Sequence, residues 1–125
     1  MHIARVEHIQ LAMPPGQEAA ARRFYRDLLG IPEKAKPPHL AKRGGVWFEE
    51  GDVKVHLGVD QEFRPSRKAH PGFVVKDLKS LVAKLEDAGF ATREDAPLEG
   101  WLRVYVDDPF GNRIELMEPD PDAVR

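Results

Sequence analysis

The sequence predicts an α+β fold built from two halves that repeat the same order of elements. Each half begins with an alternating stretch typical of a strand, followed by a segment rich in helix-forming residues. That segment stops at Gly30 in the first half and at Gly89 in the second. Each half then continues through an irregular stretch into a strand–turn–strand pair. Repeated architecture of this kind predicts two modules, about residues 4–60 and 67–118, within a single domain of 125 residues.

In the first half, RVEHIQLAM alternates Ile9 and Leu11 with polar or small residues and indicates a strand. After the break at PPG, QEAAARRFYRDLLGI predicts a helix. The expected buried side of this helix comprises Ala20, Phe24 and Leu28, joined by Ala21 and Leu29. Residues 32–45 are rich in Pro, Lys and Gly, so we expect a short strand and a mobile loop there. GVWFEEGDVKVHLGV predicts two strands joined by a turn at 50–52.

In the second half, AHPGFVV predicts a strand that opens with a His-Pro pair, because proline is tolerated where a strand begins. KDLKSLVAKLEDAGF predicts a helix. Its expected buried side comprises Leu78, Leu81, Val82 and Leu85. TREDAPLEG is expected to be irregular, and WLRVYVDDPFGNRIELME predicts a strand, a turn at 108–112 and a last strand. The C-terminal PDPDAVR is expected to fray.

Composition excludes several classes of function. Hydrophobic residues make up 42% and charged residues 32% of the chain, which argues against wholesale disorder. The net charge of −2 gives no electrostatic basis for binding nucleic acid or an anionic membrane surface. Without cysteine there is no disulfide, thiolate metal site or cysteine nucleophile. Because charges are scattered through the N-terminal stretch, we expect neither a signal peptide nor a membrane span there. We therefore expect a cytoplasmic protein.

Four residues with metal-ligand side chains occupy corresponding places in the two halves. His8 and His70 open the halves, and His56 and Glu115 lie on the last strand of each. On each strand the side chain alternates with apolar neighbours, so it lies off the face that a helix would cover. Taken singly, each is more simply interpreted as an exposed polar residue; the coincidence of position and strand face favours a shared metal site. Three imidazoles and one carboxylate suit a borderline divalent ion, and an open site without sulfur would be catalytic.

With these four residues so placed, the chain resembles the vicinal-oxygen-chelate superfamily, which includes glyoxalase I, fosfomycin-resistance enzymes, methylmalonyl-CoA epimerase, extradiol dioxygenases and bleomycin-resistance proteins. The resemblance covers about residues 4–118 and is carried by VEHIQLAM, RRFYRDLLGI, KAHPGFVVKDLKSLVAKLEDAGF and VDDPFGNRIELME. It implies paired βαβββ modules that form a cupped, partly open barrel of mixed sheet, with helices outside and a divalent metal within.

The resemblance carries His8, His70 and Glu115 onto the three most widely shared ligand positions. His56 falls on a fourth position, which glyoxalase I fills with a glutamate. We therefore expect His56 to be a fourth ligand, or at least to line the metal cup. The ion is left open among zinc, nickel, manganese, cobalt and iron, because ligand type alone does not choose between them.

Three alternating residues near the C terminus are candidates for substrate binding. Trp101, Arg103 and Tyr105 are expected to share the face of their strand that points away from the helices. Arg103 could pair with a substrate carboxylate, and the alternative is a solvated or dimer-contact arginine.

The predicted function is that of a metal-dependent, glyoxalase-like lyase or isomerase whose small oxygenated substrate is chelated by the ion. Glu115 is the candidate for moving a proton if it leaves the ion, which requires a pKa nearer neutrality than that of a free glutamate. The alternatives are an extradiol-type dioxygenase, a fosfomycin-type enzyme that adds thiol or water, and a non-enzymatic antibiotic-binding resistance protein. Exposed strand edges, together with the resemblance, predict a homodimer.

Overall fold

The computed structural model describes residues 1–123, and the chain divides into two compact units, Met1–Arg64 and Pro65–Arg125. Each unit contains one four-stranded mixed sheet with the same order of strands. The predicted α+β class and the two βαβββ modules are confirmed. The expected fraying of the tail extends to residues 124 and 125, which lie outside the described residues. Within 1–123, none of the helices is long and apolar enough to cross a membrane.

The first unit follows the predicted order of elements with one addition. Its elements are β1 (Ile9–Met13), α1 (Glu18–Ala21) continued by a π-helical segment (Arg22–Leu28), β2 (Glu33–Lys34), α2 (Pro38–Ala41), β3 (Val46–Glu50) and β4 (Val53–Val59). The strand order is β1-β4-β3-β2, with β1 parallel to β4 and the other pairs antiparallel. The short helix α2 occupies part of the stretch 32–45, where we expected a loop after a short strand.

The first helix departs from α geometry, and this changes its buried side. The Leu29 amide donates to the Phe24 carbonyl at 2.9 Å, a five-residue spacing that defines a π-helix. Neighbouring Phe24 and Tyr25 are both fully buried, together with Ala21. The predicted burial of Phe24 and Ala21 is confirmed. Leu28 is only half-buried, and Tyr25 occupies the core position that α-helical spacing assigned to Leu28.

The core of the first unit lies on one face of its sheet. The fully or almost fully buried strand residues on that face are Met13, Val46, Phe48, Val55 and Leu57. The Tyr25 ring stacks on Phe48 with centroids 5.6 Å apart. Because side chains alternate along a strand, His56 lies on the opposite face.

The second unit repeats this arrangement. Its elements are β5 (Gly72–Val74), α3 (Leu78–Asp87), β6 (Thr92–Arg93), β7 (Trp101–Asp107) and β8 (Arg113–Pro119), with strand order β5-β8-β7-β6. The two-residue strand β6 lies in the stretch that we expected to be irregular. His8 and His70 each lie just before the first strand of their unit rather than within it.

Helix α3 is fixed at its start by two carboxylates. Asp77 accepts a hydrogen bond from the Ser80 amide at 3.2 Å, and Glu118 accepts one from the Leu78 amide at 3.0 Å. Leu78 and Leu85 are buried as predicted. The helix is thereby anchored directly to β8, the strand that carries Glu115.

The turn at 108–112 is organised by one buried carboxylate. Asp108 is 4% exposed and accepts hydrogen bonds from the amides of Phe110 at 2.9 Å and Asn112 at 2.8 Å. It also accepts one from the Asn112 side-chain amide at 2.9 Å. The DPFGN motif is therefore structural, and it sets where β8 begins.

Candidate functional site

The best-defined candidate is the pair of His70 and Glu115 in the second unit. Gly72 lies opposite Glu115 in the parallel β5–β8 register, so the residue just before β5 comes close to the carboxylate. His70 Nε2 is 2.9 Å from Glu115 Oε1, and His70 Nδ1 is 2.8 Å from the Lys68 carbonyl oxygen. Because a carbonyl can only accept, Nδ1 carries a proton, and in the neutral ring Nε2 presents its lone pair to the carboxylate. Two acceptors this close require a cation shared between them, either a proton or a metal ion.

Arg103 holds the other oxygen of the same carboxylate. Its Nη1 donates to Glu115 Oε2 at 3.1 Å and to the Tyr105 hydroxyl at 3.0 Å, and its Nη2 donates to the Ala96 carbonyl at 2.7 Å. Nε is buried and has no hydrogen-bond partner among the described residues. The donors that we assigned to a substrate carboxylate are thus largely used within the chain, and Arg103 as a substrate-binding residue stays a prediction.

The charge state of Glu115 follows from these contacts. Burial raises the pKa of its carboxyl, but the hydrogen bonds from His70 and Arg103 outweigh that effect and hold the pKa below the ordinary value of 4.5. A proton-transferring glutamate requires a shift in the opposite direction. A carboxylate that stays ionised is instead well suited to bind a cation, and the proton-transfer role of Glu115 stays a prediction.

The other candidates for substrate binding lie on β7. Trp101 and Arg103 line a cleft of about 680 Å³ in the second unit. The lining comprises residues 94–103, Asp120, Asp122 and Ala123. Tyr105 does not line this cleft; it is buried, with its ring against His70 at 5.4 Å between centroids.

His56 is buried in the first unit between two other rings. The Trp47 ring stacks on it at 4.0 Å between centroids with an interplanar angle of 5°, and His8 stacks on it at 4.4 Å and 20°. Its Nε2 is 2.7 Å from Glu49 Oε2. The histidine in the middle of VKVHLGV is therefore an ordered, 6% exposed residue rather than a solvated one.

Glu49 is a residue that we did not identify from the sequence. The β3–β4 register places Trp47 directly opposite His56 and Glu49 opposite Lys54, so Glu49 is the diagonal neighbour of His56 on the same face. The signal was present in the sequence, because a hairpin turn at 50–52 fixes this register. Carboxylates next to imidazoles commonly orient metal ligands.

The four predicted ligands thus form two pairs, one in each unit. His8 contacts His56, and His70 contacts Glu115. Within residues 1–123, no group of three or more His, Asp or Glu side chains is arranged to hold a metal ion. The role of His56 as a fourth ligand stays a prediction, since its Nε2 faces Glu49.

The chain belongs to the glyoxalase/bleomycin resistance protein/dioxygenase superfamily, whose family model matches residues 5–116. Among solved structures it is similar to a glyoxalase family protein from Bacillus anthracis, with 42% identity, a TM-score of 0.90, and coverage of 96% of this chain and 98% of that chain. No match was found among proteins with curated functions.

Two more distant structures share the fold alone. One is lactoylglutathione lyase from Agrobacterium tumefaciens, with 22% identity, a TM-score of 0.71, and coverage of 94% of this chain and 96% of that chain. The other is the fosfomycin resistance protein FosX from Listeria monocytogenes, with 12% identity, a TM-score of 0.74, and coverage of 96% of this chain and 97% of that chain. Identities this low leave the activity of this chain to be argued from its own residues.

Proposed function

We propose that the protein is a metal-dependent enzyme of the glyoxalase type, a lyase or isomerase that binds a small oxygenated substrate through a divalent ion. The observation that carries the proposal is the approach of His70 Nε2 to Glu115 Oε1 at 2.9 Å, a separation bridged either by a shared proton or by a metal ion. Two ligand atoms about 2.1 Å from an ion and at right angles to each other lie about 3.0 Å apart. The separation of this pair fits adjacent ligands of an octahedral ion as well as it fits a hydrogen bond.

The surroundings of this pair fit a metal site. The Lys68 carbonyl fixes the tautomer of His70, and Arg103 anchors the Glu115 oxygen that does not face His70. Such outer contacts orient ligands before the ion arrives. His8 and His56 complete the set that the family resemblance implies. His8 Nδ1 lies 3.0 Å from a Glu7 oxygen, which makes Nε2 the lone-pair nitrogen of a neutral ring, as in His70.

The ion, when bound, would polarise the substrate oxygens and stabilise negative charge that develops on them. Trp101, Arg103 and Tyr105 are our candidates for holding the substrate. Glu115 is our candidate for moving a proton at the adjacent carbon, a role that requires bound ion and substrate to raise the pKa that His70 and Arg103 hold low. The choice among zinc, nickel, manganese, cobalt and iron is left to measurement, since affinity order does not identify the ion used.

We further propose that the protein acts as a homodimer in the cytoplasm on a small molecule. The dimer is supported by the outermost position of β5 in the second sheet, where Val74 is 64% exposed. The absence of cysteine fits a reducing compartment.

The test is elemental analysis of untagged protein purified without chelator. We expect one divalent ion per chain, with sharp losses in His70→Ala and in the double variant His8→Ala, Glu115→Ala. His39→Ala is the matched control, because His39 is an exposed histidine on α2. Full metal retention in the double variant would exclude these ligands.

The reaction class is tested with fully metallated protein. Proton exchange with solvent deuterium at the substrate carbon is followed by NMR across α-hydroxycarbonyl compounds and thiol–ketoaldehyde adducts. Bound iron together with oxygen uptake would indicate an extradiol-type dioxygenase instead. Addition of thiol or water to an epoxide would indicate a fosfomycin-type enzyme, and absence of all turnover would indicate a binding protein.

A further inference from the structure

Three arginines surround one buried tyrosine on the face of the second sheet that carries Glu115. The guanidinium carbons of Arg93, Arg103 and Arg113 lie 5.9, 5.7 and 5.4 Å from the centroid of the Tyr105 ring. Each separation is within the range in which a cation is attracted to a ring face. Three like charges gathered at one ring need anionic partners.

Two of these three arginines have such partners. Arg93 donates to Asp107 Oδ1 at 2.9 Å, and Arg103 donates to Glu115 Oε2 at 3.1 Å. The Arg113 guanidinium makes no hydrogen bond or ion pair within residues 1–123, and its contact is with the Tyr105 ring. The residue as a whole is half-buried. Arg113 is therefore the arginine at this ring that has no bonded anionic partner among residues 1–123.

We propose that Arg113, held against Tyr105, is a binding site for an oxyanionic group, a carboxylate or a phosphate. The planar fork of a guanidinium matches either group through two parallel hydrogen bonds. The sequence pattern suggested Arg103 as the residue that pairs with a substrate carboxylate. Its terminal nitrogens instead donate hydrogen bonds to Glu115, Tyr105 and Ala96. Arg113 is the arginine of this cluster that commits no donor to a hydrogen bond within residues 1–123.

The position of Arg113 defines a class of substrate, and this step rests on the proposed function. Arg113 and Glu115 are two residues apart on β8 and lie on the same face of the strand, which separates their backbone positions by roughly 7 Å. A molecule held by an ion at Glu115 and by Arg113 is therefore short. It carries its chelating oxygens at one end and a carboxylate or phosphate a few bonds away, as in a small acidic or phosphorylated hydroxycarbonyl compound.

The experiment is an NMR titration of the protein with inorganic phosphate and, separately, with malonate, both as purified and after dialysis against EDTA. We expect saturable shifts at the Arg113 side-chain N–H and the Tyr105 ring protons. Arg113→Gln should weaken binding roughly tenfold to hundredfold, the usual worth of hydrogen bonds to a charged group. The affinity of Arg113→Lys should lie between those of the wild type and Arg113→Gln, because lysine keeps the positive charge but lacks the planar guanidinium that forms two parallel hydrogen bonds. The comparison of phosphate with malonate shows which oxyanion the site prefers.

Arg67→Gln is the matched control, since Arg67 is an exposed arginine of the same unit. Thermal unfolding of each variant verifies that it is folded. Unchanged affinity in Arg113→Gln, equal losses in Arg67→Gln, or no saturable binding in the wild type would each overturn the proposal. Because the EDTA-dialysed protein is titrated as well, Arg113-dependent binding can persist even if the metal assignment fails, and the two failures remain distinguishable.

Discussion

Replacing Arg103 by methionine tests whether Glu115 is held ready for a cation. The change keeps much of the side-chain volume but removes the hydrogen bond to Glu115 Oε2, while Oε1 and its contact with His70 remain. Loss of an outer partner of a metal ligand typically costs about tenfold to hundredfold in metal affinity. Since one of the two carboxylate oxygens keeps its contact, we expect the lower end, about tenfold.

The same substitution has a defined effect on pH dependence. With the Arg103 hydrogen bond gone, burial, which raises the pKa of Glu115, is opposed only by His70. Protons then compete with the ion at higher pH than in the wild type, so metal binding should be lost earlier on acidification.

The assay is competition against a chromogenic chelator across a pH series, with Arg67→Met as the control. An Arg103→Met protein that binds metal as tightly as the wild type, with an unchanged pH profile, would refute this reasoning.

Three further predictions follow from particular contacts. Because the pKa of Glu115 is depressed, the stability advantage of the wild type over Glu115→Gln should be present at pH 7 and be lost as pH falls below about 4.5, measured by urea unfolding at each pH. Gly45→Ala should lower the free energy of unfolding far more than Gly30→Ala in the same urea measurement. Both glycines have a φ of +82°, so the backbone strain is alike. An added Cβ at Gly45 would lie 2.2 Å from the Leu57 carbonyl oxygen, whereas a Cβ at Gly30 would meet nothing within 4 Å. Comparable losses in the two variants would contradict the steric argument. The metal-replete protein should show a dimer mass by light scattering, and a monomer mass at every concentration would exclude the proposed assembly.

The sequence by itself determined the repeated order of elements and the face on which the main candidates lie. Alternation along VKVHLGV and RIELME fixes which side chains leave the apolar face, because a strand has a period of two. His56 and Glu115 could therefore be placed from local pattern, and the correspondence of the two halves matched His56 to Glu115 and His8 to His70. The recurrence of one topology in both units shows that this reasoning holds for the fold.

Only the tertiary structure decided the partners of those residues. The π-helical segment of the first unit puts Tyr25 against Phe48, which local spacing could not reveal. The link from Arg103 to Glu115 depends on the β7–β8 register, in which Arg103 faces Met117 and reaches Glu115 diagonally. Contacts between strands join residues that are distant in the chain. The lowered pKa of Glu115 results from contacts with two such distant residues, His70 and Arg103. The periodicity of each strand taken alone therefore could not determine them.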